Sequence, residues 1–172
     1  LSPSSAASDV YKRQVLNRYA TGFSIKWPND IYWHDKKIAG ILIENVLSGS
    51  TFSRAIIGMG LNINQKNFYS DAPNPVSLYQ ITGRTYKIEK ILDEFTEDFG
   101  KRYTDTFTNS SDRIHKEYIA ALYRNDGVYP FYSDGNIFHA SIADVELDGH
   151  LLLSTESGEK KRFAFKEVSF LL

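Results

Sequence analysis

Cysteine is absent from all 172 residues, which excludes disulfides, thiolate metal sites and cysteine nucleophiles. Histidine is scarce: His34, His115, His139 and His150 stand far apart and form no His-x-x-x-His pair, so no zinc site is expected. No apolar run approaches the roughly 20 residues of a membrane-spanning helix, and no secretory signal is legible. The net charge is −1, so no field of one sign draws in nucleic acid or an anionic membrane. What is present is ordinary for a folded chain: 42% hydrophobic and 24% charged residues, enough for a core and against wholesale disorder. The composition predicts a soluble cytoplasmic protein with one domain, or a medium and a small one.

The chain opens on Leu1 and runs through "LSPSSAASDVYKRQ", small and polar without periodicity. Residues 1–14 are therefore set apart as a non-native or disordered leader, with the chain starting inside a longer domain. Val15, Leu16 and Tyr19 before Gly22 read as the end of a helix. Phe23, Ile25 and Trp27 alternate with polar residues as in a strand, and Pro28, which cannot donate to a ladder, ends or bulges it. Ile31 and Trp33 resume the alternation, and "KIAGILIENV" returns after a polar turn, so a hairpin is the simplest reading. "RAIIGMGLNIN" (54–64) is a further strand, and 65–86 reads as loop. From Lys87 the period lengthens: Ile88, Ile91, Leu92, Phe95, Phe99, Tyr103 and Phe107 predict an amphipathic helix of about five turns. "NSSDR" offers a cap for a shorter helix through Tyr123. Beyond 125 the period returns to two, with Asp148-Gly149 and Ser157-Gly158 as hairpin turns, as in a small SH3-type β-barrel. The expected layout is a mixed α+β unit over 15–124 and an all-β unit over 125–172.

"IKWPNDIYWHDKKIAGILIE" (25–44) concentrates the chemistry. With a two-residue turn at 35 and 36, strand parity puts Asp30, Tyr32, His34 and Lys37 on one face. By strand rise alone, Asp30 and Lys37 could lie more than ~10 Å apart. A solvated hairpin face would look the same. Gly40 within an apolar strand tips the balance, since glycine there weakens the strand unless a bulge or a close ligand needs it. Gly58 and Gly60 repeat the signal in the next strand, so two strands could floor a groove for a flat ligand. Asn62 follows, with an amide suited to the N6/N7 edge of adenine; Asn62 and Asn64 can equally be strand terminators.

"KWPNDI", "KIAGILIE" and "GMGLNIN", in this order and spacing, resemble the catalytic core of biotin–protein ligases (biotin–[acetyl-CoA-carboxylase] ligase). "ALYRNDGVYPF" and the segments after it resemble that family's C-terminal SH3-like domain, so the likeness runs from Val15 to the end. The resemblance implies a mixed β-sheet with helices of the class II synthetase-like kind, followed by the small barrel. It implies Lys37 against the biotin carboxyl and adenylate phosphate, with Asn29 and Asp30 close to the ligand. Gly40, Ile41 and Leu42 would present backbone and apolar surface to biotin, Gly58 and Gly60 would floor the groove, and Asn62 would read adenine. Lys26 would be a second cation near phosphate, while Trp27 and Trp33 would be core.

The implied substrates are biotin and ATP, with Mg²⁺ accompanying ATP, and the implied partner is a biotin carboxyl-carrier domain. Biotin's carboxylate would attack the α-phosphate, and a carrier lysine would then attack the mixed anhydride, with Asp30 to orient or deprotonate that amine. The family's Gly-Arg-Gly-Arg-type loop precedes the Lys-Trp-Pro-Asn-Asp block and is missing here, and Gly83-Arg84 falls after the core strands. The expectation is that this chain does not biotinylate on its own, and that it shows open sheet edges, exposed apolar surface and poor solubility. Nucleic acid would be a partner only through an N-terminal helix-turn-helix of the kind some family members carry. The rival readings are a lipoate–protein ligase relative, which shares fold and adenylation logic, and a non-catalytic protein-binding remnant. "EKKRFAFK" (159–166) is locally basic but reads more simply as a solvated hairpin face.

Overall fold

The computed structural model describes residues 10, 12–48, 51–69, 73–108 and 111–171. Helix α1 covers residues 12–16. It is followed by β1 (Phe23–Lys26), β2 (Asp30–Trp33), β3 (Lys36–Ser48) and β4 (Thr51–Leu61), then α2 (Leu78–Thr82), α3 (Ile88–Thr108) and α4 (Ser111–Ala121). The chain ends in β5 (Tyr129–Ser133), β6 (Asn136–Val145), β7 (Leu151–Thr155), β8 (Lys160–Phe163) and β9 (Ser169–Phe170). The expected α+β class is observed. Among the described residues no helix is long and apolar enough to cross a membrane.

The first sheet is an antiparallel meander in the order β1-β2-β3-β4. Its first turn sits where Pro28 interrupts the alternation, and Lys26 pairs with Asp30 across it. The second turn places His34 at φ 50°, and Tyr32 faces Lys37 across the ladder. Gly40 lies opposite Gly60 and Leu42 opposite Gly58. β4 has no second neighbour among the described residues, and Leu42 (62%) and Ile56 (53%) are exposed, in line with the expected open edge and apolar surface.

Three expectations need correction. Residues 10–14, set apart with the leader, are not all outside the fold: Val10 and Lys12 are buried, and Arg13 Nε donates to the Phe23 carbonyl at 2.6 Å. The polar run hid them because apolar positions in one helical turn are too few to show a period. Residues 65–86 are not all loop, since α2 is built there on a capping box: Ser77 Oγ accepts from Gln80 N, and the Gln80 side chain accepts from Ser77 N. Ser77, Gln80 and Gly83 carried that signal in the sequence. In α3, as predicted in extent, only Ile91 and Phe95 of the early stripe are buried; Ile88 and Leu92 lie on a flank the sheet does not reach and are more than half exposed.

The C-terminal strands form a second antiparallel sheet in the order β8-β7-β6-β5-β9. Among the described residues no pairing of β8 with β9 closes it into a barrel. Its core is not separate from what precedes it. Phe131, Leu151, Leu153, Phe163 and Phe170 share one buried cluster with Ile25 of β1, Trp27 of the turn after it, and Ile114, Tyr118 and Leu122 of α4 and its end. Tyr123 N donates to the Ile25 carbonyl at 2.8 Å, and His115 bonds Asp144 at 2.7 Å. A second cluster joins α1, Phe23, Ile31, Ile38 and Ala39 of the first sheet, α2 and α3. Residue 125 is therefore a change of strand pattern rather than a break in the core.

Candidate functional site

The two turns of the meander bring both ends of the 25–44 stretch to one place. The register of β2 and β3 slips between Ile31 and Tyr32; such a bulge re-aims side chains. It leaves Ile31 and Tyr32 both buried, breaking the face predicted from parity, and His34 is exposed at the turn. The slip also closes the gap left open by strand rise: Lys37 Nζ lies 2.7 Å from Asp30 Oδ1. Both side chains keep partial contact with solvent, at 34% and 24% exposure.

Gly40 sits beneath this pair. A Cβ there would stand 3.3 Å from Lys37 Cε and Nζ and 3.4 Å from Asp30 Oδ1. The glycine is needed for the ion pair rather than for a turn. At Gly58 and Gly60 a Cβ would meet nothing within 4 Å, so those residues leave open space. Asn29 is tied inward, donating from Nδ2 to the Ile41 carbonyl while Ile41 N donates to its backbone oxygen at 2.9 Å. Its amide fixes β3 to the turn.

Lys26 emerges from β1 onto the same surface. Its Nζ donates to Tyr32 Oη at 3.1 Å and lies 4.8 Å from that ring's centre and 5.5 Å from that of Phe170. Burial pulls its pKa down, Asp30 pulls it back up, and Lys37 and Arg124 lower it further. Burial likewise raises Tyr32, with Asp30 adding to the effect.

Together these groups line a cavity of about 820 Å³, within the range of small-molecule sites. Lys26, Asn29, Asp30, Lys37, Gly40, Ile41, Leu42, Gly58 and Gly60 all contribute, so nine of the ten predicted positions converge. Asn62 does not line it. Its backbone links β4 to β3 and α2, with N donating to the Ile38 carbonyl and O accepting from Leu78 N, which fits the strand-terminator alternative. The Trp33 expectation as core fits its partial burial against the first sheet's cluster. Trp27 is both core, at 5% exposure, and cavity wall.

Sequence reasoning missed the opposite wall. Phe165, Lys166, Val168, Ser169 and Phe170, from the C-terminal sheet and the turn before β9, close the cavity over the Lys-Trp-Pro-Asn-Asp block. Trp27 Nε1 donates to the Gly149 carbonyl at 3.0 Å and helps hold that sheet in place. Among the described residues three lysines line the cavity against one carboxylate, Asp30, so it favours an anion.

Comparison with known proteins follows the same lines. Residues 9–62 match the family model for the Biotin/lipoate A/B protein ligase family. The chain is 30% identical over 148 residues to the bifunctional ligase/repressor BirA of Bacillus spizizenii, covering 81% of this chain and 44% of that protein. It is 29% identical over 109 residues to the biotin--[acetyl-CoA-carboxylase] ligase of Paracoccus denitrificans, covering 61% and 45% respectively. In fold it matches the biotin protein ligase of Aquifex aeolicus in complex with biotin and ATP, with a TM-score of 0.75 and 22% identity over 98% of this chain and 71% of that one. The chain spans less than half the length of the curated relatives it matches. Over residues 9–62 the chain is thus similar to the biotin/lipoate ligase family. The relatives it matches include biotin ligases, in line with the three sequence blocks.

Gly40→Ala is expected to weaken ligand binding about tenfold while leaving the fold near wild type, because the methyl group pushes on the flexible end of Lys37 and on Asp30. Gly58→Ala is expected to cost no stability, since the strand prefers alanine and nothing is in its way. Thermal melting and ligand titration of both variants check this; a Gly40→Ala protein that binds as wild type would show that the pair's position is not needed.

Proposed function

We propose that the cavity binds biotin and its adenylate, and that the protein containing this chain activates biotin with ATP to biotinyl-5′-AMP and transfers it to a lysine of a carboxyl-carrier domain in the cytoplasm. The observation that carries this reading is the Lys37–Asp30 pair at 2.7 Å, seated on Gly40 in a cavity whose other charged groups, among the described residues, are cations. Activation brings a carboxylate to a phosphate, two anions. A fixed cation lowers their repulsion and stabilises the charge growing on phosphorus. Lys37 has that role, with Asp30 setting its direction in the free protein.

Lys26 is the second cation. Its aromatic surroundings and its bond to Tyr32 Oη hold it in place, and an entering phosphate would offset the burial that depresses its pKa. Ile41 and the exposed Leu42 supply apolar surface for the ring system of biotin. In the transfer step Asp30, released from Lys37 as phosphate takes its place, is positioned to orient or deprotonate the incoming amine. Asn29 acts through the Ile41 carbonyl and holds the wall against which biotin would lie.

Among the described residues the walls offer Mg²⁺ no cage, because their one lining carboxylate, Asp30, is already paired with Lys37. Among the described residues the only close group of potential metal ligands, Glu146, Asp148 and His150, is elsewhere on the C-terminal sheet and has Arg162 bound to both acids. Any Mg²⁺ would arrive on the nucleotide.

Titration of the chain with biotinyl-5′-adenylate, alongside lipoyl-adenylate, tests the reading. Micromolar binding of the first and much weaker binding of the second are expected. Equal or tighter binding of lipoyl-adenylate would give the site to lipoate, and no binding of either would overturn the assignment of the cavity.

A further inference from the structure

The turn between β8 and β9 has features that the core of the first sheet does not explain. Phe165 is 60% exposed, large and apolar, yet lines the cavity, with its ring 6.5 Å from Trp27 in an edge-to-face arrangement. Lys166 follows at φ 73°, a left-handed backbone that a lysine adopts only against its own sterics. The turn is held firmly: Ala164 N donates to the Glu167 carboxylate at 2.7 Å, Glu167 N to the Ala164 carbonyl at 3.2 Å, and Ser133 Oγ to the Glu167 carbonyl at 2.7 Å. So the backbone at Lys166 is held in this unfavourable conformation by its neighbours.

Among the described residues no carboxylate pairs with Lys166; its Nζ rests 5.5 Å from the centre of the Phe165 ring. The other two lysines differ. Lys37 is held by Asp30, and Lys26 by Tyr32. Lys166 lines the cavity from the turn between β8 and β9, whereas Lys26 and Lys37 line it from the first sheet. One monophosphate between Lys26 and Lys37 would leave this cation without an anion, whereas a longer polyphosphate would reach it.

We propose that Lys166, with Phe165 beside it, is a nucleotide-specific binding residue that takes the β- and γ-phosphates of ATP, so that the C-terminal sheet recognises the triphosphate while the first sheet holds the adenylate. The inference deepens the proposed function and rests on it. It explains why a cation is kept in a strained turn over a cavity that already has two. It also predicts a division that the first-sheet residues alone would not give: groups that bind the substrate ATP are separable from groups that bind the intermediate, so pyrophosphate loses its own contact when it leaves.

The test uses the full 172-residue chain, titrated with a non-hydrolysable ATP analogue and separately with biotinyl-5′-adenylate. Lys166→Gly removes the cation and suits the left-handed backbone, so its fold is not at risk. It should weaken the ATP analogue roughly tenfold, the size of one charge-assisted hydrogen bond at a partly exposed site, and leave the adenylate unchanged. Lys166→Arg should restore most of the ATP affinity. Unchanged ATP-analogue affinity in Lys166→Gly would overturn the inference while leaving the proposed function in place. Equal weakening of both ligands would also overturn it, because the residue would then not distinguish triphosphate from adenylate. A wild-type chain that binds neither ligand would remove the proposed function and this inference with it.

Discussion

Lys37→Ala is expected to lower affinity for biotinyl-5′-adenylate by about 100-fold, with little change in melting temperature. The removal of one partner from a hydrogen-bonded charge pair at a binding site costs ~2–5 kcal/mol, and each 1.4 kcal/mol is a factor of ten. Two effects add in this variant. The phosphate loses its cation, and Asp30 is left as an unpaired anion facing it. Stability changes little because both side chains remain partly in water, where an ion pair contributes on the order of 0–1 kcal/mol. The second effect can be separated from the first. Lys37→Ala combined with Asp30→Asn should recover part of the lost affinity, since the repulsion is gone even though the cation is too. Asp30→Asn alone should bind adenylate as well as wild type but fail in transfer to a carrier lysine when placed in a complete ligase. Full transfer activity in that variant would take the proton-handling role away from Asp30. Titration with the adenylate reads the first three results, and wild-type affinity in Lys37→Ala would remove Lys37 from the site altogether.

Much of this site was legible because its parts lie in one hairpin stretch and its neighbour. Glycine among bulky strand residues is a local signal, and Gly40, Gly58 and Gly60 do face the cavity. The resemblance of the three blocks brought in Lys37, Asp30 and Asn29, which spacing alone left undecided. Parity failed at Ile31 and Tyr32, where a bulge inserts a residue that no periodicity announces, and for that reason Lys37 meets Asp30 instead of standing off from it. The far wall was illegible for a different reason. Phe165 and Lys166 lie more than a hundred residues beyond the block they cover, and a contact of that range leaves no trace in a local pattern. "EKKRFAFK" is basic and largely solvent-facing, as read, but charge says nothing of what a turn faces, so the cavity contact of Phe165 and Lys166 was not legible in it. The division at 125 followed a real change of period from helix to strand. Periodicity reports which face is buried, not which other element buries it, so the shared core of Trp27, Tyr118 and Phe131 could not be read from it.

That shared core sets the second large effect. Trp27→Ala is expected to destabilise the chain by about 3–5 kcal/mol, the usual range for deleting a buried aromatic ring from a packed core. Trp27 is 5% exposed, packs in the same cluster as Phe131, Leu151 and Phe170, and donates Nε1 to the Gly149 carbonyl at 3.0 Å. It is the residue through which the Lys-Trp-Pro-Asn-Asp turn and the second sheet hold one another, so its loss should also open the cavity that both walls form. Trp27→Phe separates the contributions. It keeps most of the apolar contact and gives up the hydrogen bond, leaving the Gly149 carbonyl to water or unpaired, a loss of ~1–3 kcal/mol. Thermal unfolding followed at two wavelengths distinguishes one cooperative core from two separable units. With a common core, wild type and Trp27→Phe each melt in a single transition by both probes, Trp27→Phe at the lower temperature, and Trp27→Ala falls furthest. If the sheets were independent, Trp27→Ala would split the melt, lowering the transition of the first sheet and leaving that of the second where it was. A chain ending at Arg124 sharpens the contrast. It would leave Ile25, Trp27, Ile114 and Tyr118 without their cover, and it should fail to fold cooperatively if the core is one. A stable, cooperatively melting chain of that length would show that the first sheet needs nothing from the second, and would return the second sheet to the status of an appended unit.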